Sequence, residues 1–222
     1  MTIETWQIAR FTVVMASLAT TLVLPPAIAI GWLLARRSFP GKALIETIVS
    51  LPLVLPPVAS GLMLLWLFGR RSPVGQALDA AGIEIIFTWK AVVIAMMVIS
   101  FPLVARSVRA GIEQVDRRYE QIAATLGAGS FRILRTITLP LASRGIAAGA
   151  VLGFSRALGE FGATIMVAGA IPGRTRTIAV GIYTLVETGR EDAAWGLVVV
   201  AALLAFGAVY ASNRLVGERG RA

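Results

Sequence analysis

Five apolar runs set the limits on what this chain can become. Phe11 to Ala35 is 25 residues without a charge, Thr47 to Gly69 is 23, Ala91 to Ala105 is 15 and Ala193 to Asn213 is 21. Gly145 to Gly173 is free of charge apart from Arg156 and Glu160. A helix that crosses the hydrocarbon core needs about 20 apolar residues, because each adds roughly 1.5 Å. Inside lipid every backbone polar group must be satisfied by the chain itself, and a helix does this locally. Four runs reach the required length. The third reaches it if its helix starts near Phe87 and Lys90 extends its ammonium to the headgroups. The runs predict five transmembrane helices rather than the buried core helices of a soluble domain.

Composition agrees with that reading and narrows the chemistry. Of 222 residues, 57% are hydrophobic and 15% charged, against about a quarter charged in ordinary soluble domains. There is no cysteine and no histidine, which excludes disulfides, thiol nucleophiles, imidazole metal ligands and Ser–His catalysis. No convergent set of carboxylates replaces them, so neither catalytic nor metal-ligating residues are expected. The formal net charge of +9 would suggest nucleic acid in a soluble protein. Here the cations lie between apolar runs, so the expected partner is the lipid bilayer and not nucleic acid.

The distribution of cations predicts an orientation. Thirteen basic residues, among them Arg36, Arg37, Lys42, the arginines from Arg106 to Arg144, Arg214, Arg219 and Arg221, fall on one side. Seven, Arg10, Arg70, Arg71, Lys90, Arg174, Arg176 and Arg190, fall on the other. The richer side is expected to be cytoplasmic, which puts the N-terminus outside and the C-terminus inside. The first run is longer than a signal-peptide core and lacks a basic cluster before it, so it is kept as a helix. Pro25, Pro26, Pro52, Pro56, Pro57 and Pro102 lie within the runs and predict helix curvature. Gly149, Gly153, Gly159 and Gly162 suit close helix packing.

The resulting expectation is an all-α, polytopic membrane protein. One transmembrane domain spans 9–213, with helices at approximately 10–35, 46–68, 87–106, 144–168 and 193–213 and a loop at 107–143. That loop carries internal order. Tyr119 to Leu126 is a helix of good formers with the small residues Ala123 and Ala124. Gly127-Ala128-Gly129 breaks it. Ser130 is positioned to cap a second helix over 131–138 that ends before Pro140. Such a projecting helix–turn–helix, with small residues on its first helix, suits the close approach of another protein.

This segment resembles the cytoplasmic loop of ABC importer permeases, whose pattern is Glu-Ala-Ala, three residues, Gly, nine residues, Ile-x-Leu-Pro. Gly127, nine residues, then Ile137, Leu139 and Pro140 match its second half. Gln121, Ile122 and Ala123 occupy the Glu-Ala-Ala places, and Glu120 lies one position early. Together with FPGKALIETIVSLPLVLPPVASG and SRALGEFGATIMVAGAIPGRTRTIAVGIYTL, the loop makes nearly the whole chain similar to molybdate permeases of bacterial ABC importers. Sulfate permeases share the Arg-Ala-Leu-Gly-Glu-Phe-Gly type of sequence, whereas residues 171–178 lean toward molybdate.

The resemblance implies a type I ABC importer permease fold in a bacterial inner membrane. It implies a homodimer, two copies of a cytoplasmic ATPase that docks on Glu120, Gln121, Ala123, Ala124, Gly127, Ile137, Leu139 and Pro140, and an extracytoplasmic oxyanion-binding protein. The chain has no GxxxxGK[ST] phosphate loop, so it is expected to be no enzyme. It would bind no cofactor itself, and ATP would be used by the partner. Arg174 and Arg176 are expected to face the binding protein.

Two alternatives stand beside this: a sulfate permease of the same family, and a secondary transporter, which would ordinarily show two related halves. Arg156, counted from Arg144, lies about 18 Å into the membrane by helix rise. Four residues from Glu160, it would share a helix face with it. Ser155, Arg156 and Glu160 then form either an internal clamp or part of an oxyanion path, which a guanidinium suits.

Overall fold

A computed structural model describes residues 3–217, and all its regular elements are helical. Arg219 and Arg221 lie outside the described residues. Helix α1 (Ile3–Arg36) spans 34 residues, about 50 Å at roughly 1.5 Å each, and so projects beyond the hydrocarbon core. Helix α2 (Lys42–Val54) and α3 (Pro57–Phe68) follow, then α4 (Pro73–Ala80) and α5 (Trp89–Glu113). A short α6 (Arg117–Thr125) leads to α7 (Ser130–Ile133), a π-helical turn at Leu134–Thr138 and α8 (Leu139–Leu158). Then come α9 (Gly162–Ala168), α10 (Ile178–Glu187) and α11 (Glu191–Gly217). Among the described residues four helices are long and apolar enough to cross a membrane, and the α2–α3 pair makes a fifth if counted as one broken span.

Two of the five expected spans are not single rods. The expected 46–68 helix is α2 and α3, bent by 109°. Pro56 and Pro57 explain this: both lack an amide hydrogen, and the residue before a proline is driven out of the helical region. Leu55 is extended, with ψ of 140°, and Pro57 opens the second half at the first helical position, where a missing donor costs nothing. Pro52 and Pro102, by contrast, sit inside continuous helices. The expected 144–168 helix stops at Leu158 and restarts at Gly162. It also begins earlier, because the second loop helix does not end before Pro140. Ser130 makes no capping bond there. The π-turn, closed by the Leu139 amide bonding the Leu134 carbonyl, carries the chain into α8 with Pro140 in its first turn. The third span runs on to Glu113, which shortens the loop expected at 107–143.

Helices α4 and α10 were not anticipated, although their starts are legible. Ser72 caps α4 by accepting the Gly75 amide at 2.8 Å, ahead of Pro73, and Thr177 caps α10 through the Val180 amide. Thr12 in α1 holds α10 in place: its buried hydroxyl accepts the Ile178 amide at 2.9 Å.

Lipid offers apolar side chains no reason to leave it, so helices in membranes associate by close contact. Here α5 lies at the centre, packed on α1 and α8. Gly145 and Gly111 meet backbone to backbone: a Cβ on Gly145 would lie 2.6 Å from the Gly111 Cα. Gly149 meets Ser107, and Gly153 meets Val104. A row of glycines four residues apart therefore seats α8 on α5. Gly162 packs on Pro57, whereas a Cβ on Gly159 would meet nothing within 4 Å.

Candidate functional site

Two broken helices meet inside the bundle. The first residues of their second halves touch, because a Cβ on Gly162 would lie 2.8 Å from the Pro57 Cβ. Four residues further into α3, Gly61 presses on Ala163. Arg156 lies in the last turn of α8 and Glu160 stands in the break. The Glu160 side chain is 1% exposed; its Oε2 lies 3.0 Å from Arg156 Nη1, and its Oε1 accepts the Ala163 amide at 2.8 Å. The pair therefore does not share one helix face, as its spacing suggested. It bridges a helix end and a helix start, with the cation in the last turn of α8 and the carboxylate ahead of α9. Both charges complement the dipoles of their helices. The Arg156 side chain is 31% exposed, whereas its partner carboxylate is enclosed. Ser155 does not join them; its hydroxyl bonds back to the Val151 carbonyl at 2.8 Å.

The loop after α5 forms the second candidate region. Asp116 caps α6 by accepting the Arg118 amide at 2.9 Å. Gly127, at φ 83°, takes the left-handed conformation that ends this helix and that side chains resist. Glu120 faces inward from α6. Its Oε1 accepts the Thr138 hydroxyl at 2.7 Å, and Arg36 Nε stands 3.0 Å from both carboxylate oxygens. Gln121, Ala124 and Gly127 are exposed and Ala123 is half-buried; Ile137 and Leu139 are half-buried at the π-turn and Pro140 is exposed. Sequence reasoning emphasised small residues on α6 and missed the large ones. Tyr119, Ile122, Leu126 and Phe131 all stand exposed, Leu126 at 83%. Apolar Tyr119, Ile122 and Leu126, spaced three and four residues apart on a helix otherwise rich in charge, were the available signal. A contiguous exposed apolar patch of this kind marks an interaction surface.

At the opposite end of α1, the two arginines expected to act together separate. Arg174 is exposed and lines a cavity of about 680 Å³ with Arg70 and Arg71. The Arg176 side chain is 16% exposed and pairs with Glu4 at 3.3 Å. It ties the 169–177 loop to α1, while the hydroxyl of buried Thr175 accepts the Ile171 amide at 3.1 Å.

Comparison with known proteins gives a consistent picture. The model of the family described as "Binding-protein-dependent transport system inner membrane component" matches residues 27–217. The chain is 48% identical over 202 residues to the molybdenum transport system permease protein ModB of Escherichia coli K12, across 90% of this chain and 88% of that one. It is 46% identical over 183 residues to ModB of Haemophilus influenzae, across 82% and 80%. Identity to the sulfate transport system permease CysW of Synechocystis is 37% over 196 residues, across 88% of this chain and 71% of that protein. In structure the chain superposes on a bacterial ABC transporter that imports the acidic polysaccharide alginate, with a TM-score of 0.72. That match covers 96% of this chain and 80% of that one at 18% identity, a likeness of fold.

Proposed function

Because the chain belongs to the family of binding-protein-dependent transport system inner membrane components, we propose that it is the permease subunit of an ATP-driven importer that carries molybdate, and tungstate with it, across the cytoplasmic membrane. The observation that carries this reading is the 48% identity to a molybdenum permease over 90% of the chain. The sulfate permease relative, at 37%, leaves the sulfate branch as the second reading. Molybdate and tungstate are tetrahedral dianions of nearly equal size, so a path without dedicated differential contacts passes both.

The mechanism follows from the parts. The exposed patch on α6 and α7 receives a separate ATPase, since the chain has no phosphate loop of its own. Closure of two ATPase subunits around ATP moves this patch and switches access from the inner to the outer side, and hydrolysis resets it. A second copy of the chain completes the pathway. In support, α2 buries none of its 13 residues, and Leu44, Ile48, Leu51 and Val54 stand exposed on it. A binding protein delivers the anion at the opposite end, near Arg174. Arg156, whose side chain is partly exposed, meets the anion in passing; contacts there must be weak enough to release it.

The orientation has a direct test. The α6 end of the molecule carries the larger share of cations and is assigned to the cytoplasm. In the cysteine-free chain, Arg174→Cys is expected to react with an impermeant thiol reagent on right-side-out spheroplasts, and Ser130→Cys only after lysis. Labelling of position 130 in intact spheroplasts would reverse the orientation.

A further inference from the structure

We infer that Glu120 is a positioning residue, through which displacement of α6 reaches two membrane helices at once; this rests on the coupling role proposed for the loop. Helix α6 buries no residue of its own, so apolar packing does not fix it to the body. Polar bonds do. The Glu120 side chain is 17% exposed, its partner Arg36 8%, and Thr138 is fully buried. Arg36 closes α1, and Thr138 closes the π-turn that feeds α8. One carboxylate therefore joins the docking helix to the ends of both.

The joint is reinforced in both directions. Arg36 Nη2 donates to the Val115 carbonyl at 2.9 Å, just before α6. Arg117 Nη2 donates to the Ala35 carbonyl at 3.2 Å, satisfying one of the unpaired carbonyls at the end of α1. Charge-assisted bonds withdrawn from water are short, directional and strong. A force applied to Ile122 or Leu126 on the exposed face thus passes to α1 and α8 through Glu120. The π-turn beside it, whose bonds span one residue more than those of an α-helix, supplies a place to yield.

The test uses the assembled importer, with permease, ATPase and binding protein in proteoliposomes, and reads molybdate carried per ATP hydrolysed. Docking is read separately by cross-linking Gln121→Cys to the ATPase. Glu120→Ala is expected to lower the transport-to-hydrolysis ratio by about tenfold, the scale set by one buried charge-assisted bond, with cross-linking retained. Glu120→Gln, which keeps an acceptor for Thr138 and loses the charge, is expected to fall between. An unchanged ratio with cross-linking intact would overturn the inference and leave the coupling role standing. Loss of cross-linking in Glu120→Gln would also overturn it, because the residue would then merely hold the docking surface in shape. Absence of cross-linking in the chain with native Glu120 would remove the coupling role itself.

Discussion

Gly145→Leu is expected to leave almost no folded permease in the membrane. The first atom of the new side chain would lie 2.6 Å from the Gly111 Cα and 3.4 Å from its nitrogen. Both are backbone atoms of another helix and cannot rotate aside. Relief requires α8 to lift from α5, which would break the contacts of Gly149 and Gly153 in the same row and the bond from the Ser107 hydroxyl to the Gly145 carbonyl at 3.2 Å. Overpacking typically costs about 1–3 kcal/mol where neighbours can shift, and more where they cannot. Close packing is also the main force between helices in lipid. The check is membrane yield and the midpoint of thermal aggregation, with Gly207→Leu on α11 as the control, since a Cβ there meets nothing within 4 Å. Equal behaviour of the two variants would contradict the packing assigned to α5 and α8.

Glu160→Ala is the second large effect. It removes the acceptor of the Ala163 amide and the partner of Arg156 in one step, leaving a cation uncompensated inside the bundle. Breaking a fully buried pair from one side costs about 3–5 kcal/mol; the 31% exposure of the Arg156 side chain lowers that cost by screening, but the Ala163 amide also loses its acceptor, so the variant is expected to assemble poorly. The exchange Arg156→Glu with Glu160→Arg is expected to fail as well, because arginine cannot accept the Ala163 amide. Arg156→Met with Glu160→Gln separates clamp from path: glutamine still accepts that amide and no charge is left unpaired. This double variant is expected to fold and to lose most of its uptake. Uptake at the native rate would assign the pair to helix packing alone.

The sequence carried the parts that depend on composition and length. Five apolar stretches, the helix at α6 and the turn at Gly127 were all visible, because hydropathy and glycine are local signals. The breaks were less so. Pro56-Pro57 stood in the sequence, but proline either kinks a helix or ends it, and Pro52 and Pro102 stay within helices. The break at Gly159 had no proline to mark it. It is set by the Glu160 carboxylate accepting the Ala163 amide, a contact that spacing cannot distinguish from an i, i+4 pair on one helix. Glu120 was legible as a residue of the loop and illegible as a joint, since Arg36 lies 84 positions away. Arg174 and Arg176, two apart in a cationic loop, could not be sorted into an exposed residue and a half-buried strut without knowing that Glu4 waits beside one of them.

Whether this chain carries molybdate under the drive of a separate ATPase is decided by uptake into proteoliposomes containing the permease, its ATPase and the binding protein, with ATP enclosed on the ATPase side. The expected result is uptake of molybdate and tungstate that requires all three proteins and ATP, with sulfate rejected at the binding protein. Robust sulfate uptake without molybdate, or molybdate uptake by the permease alone, would contradict it.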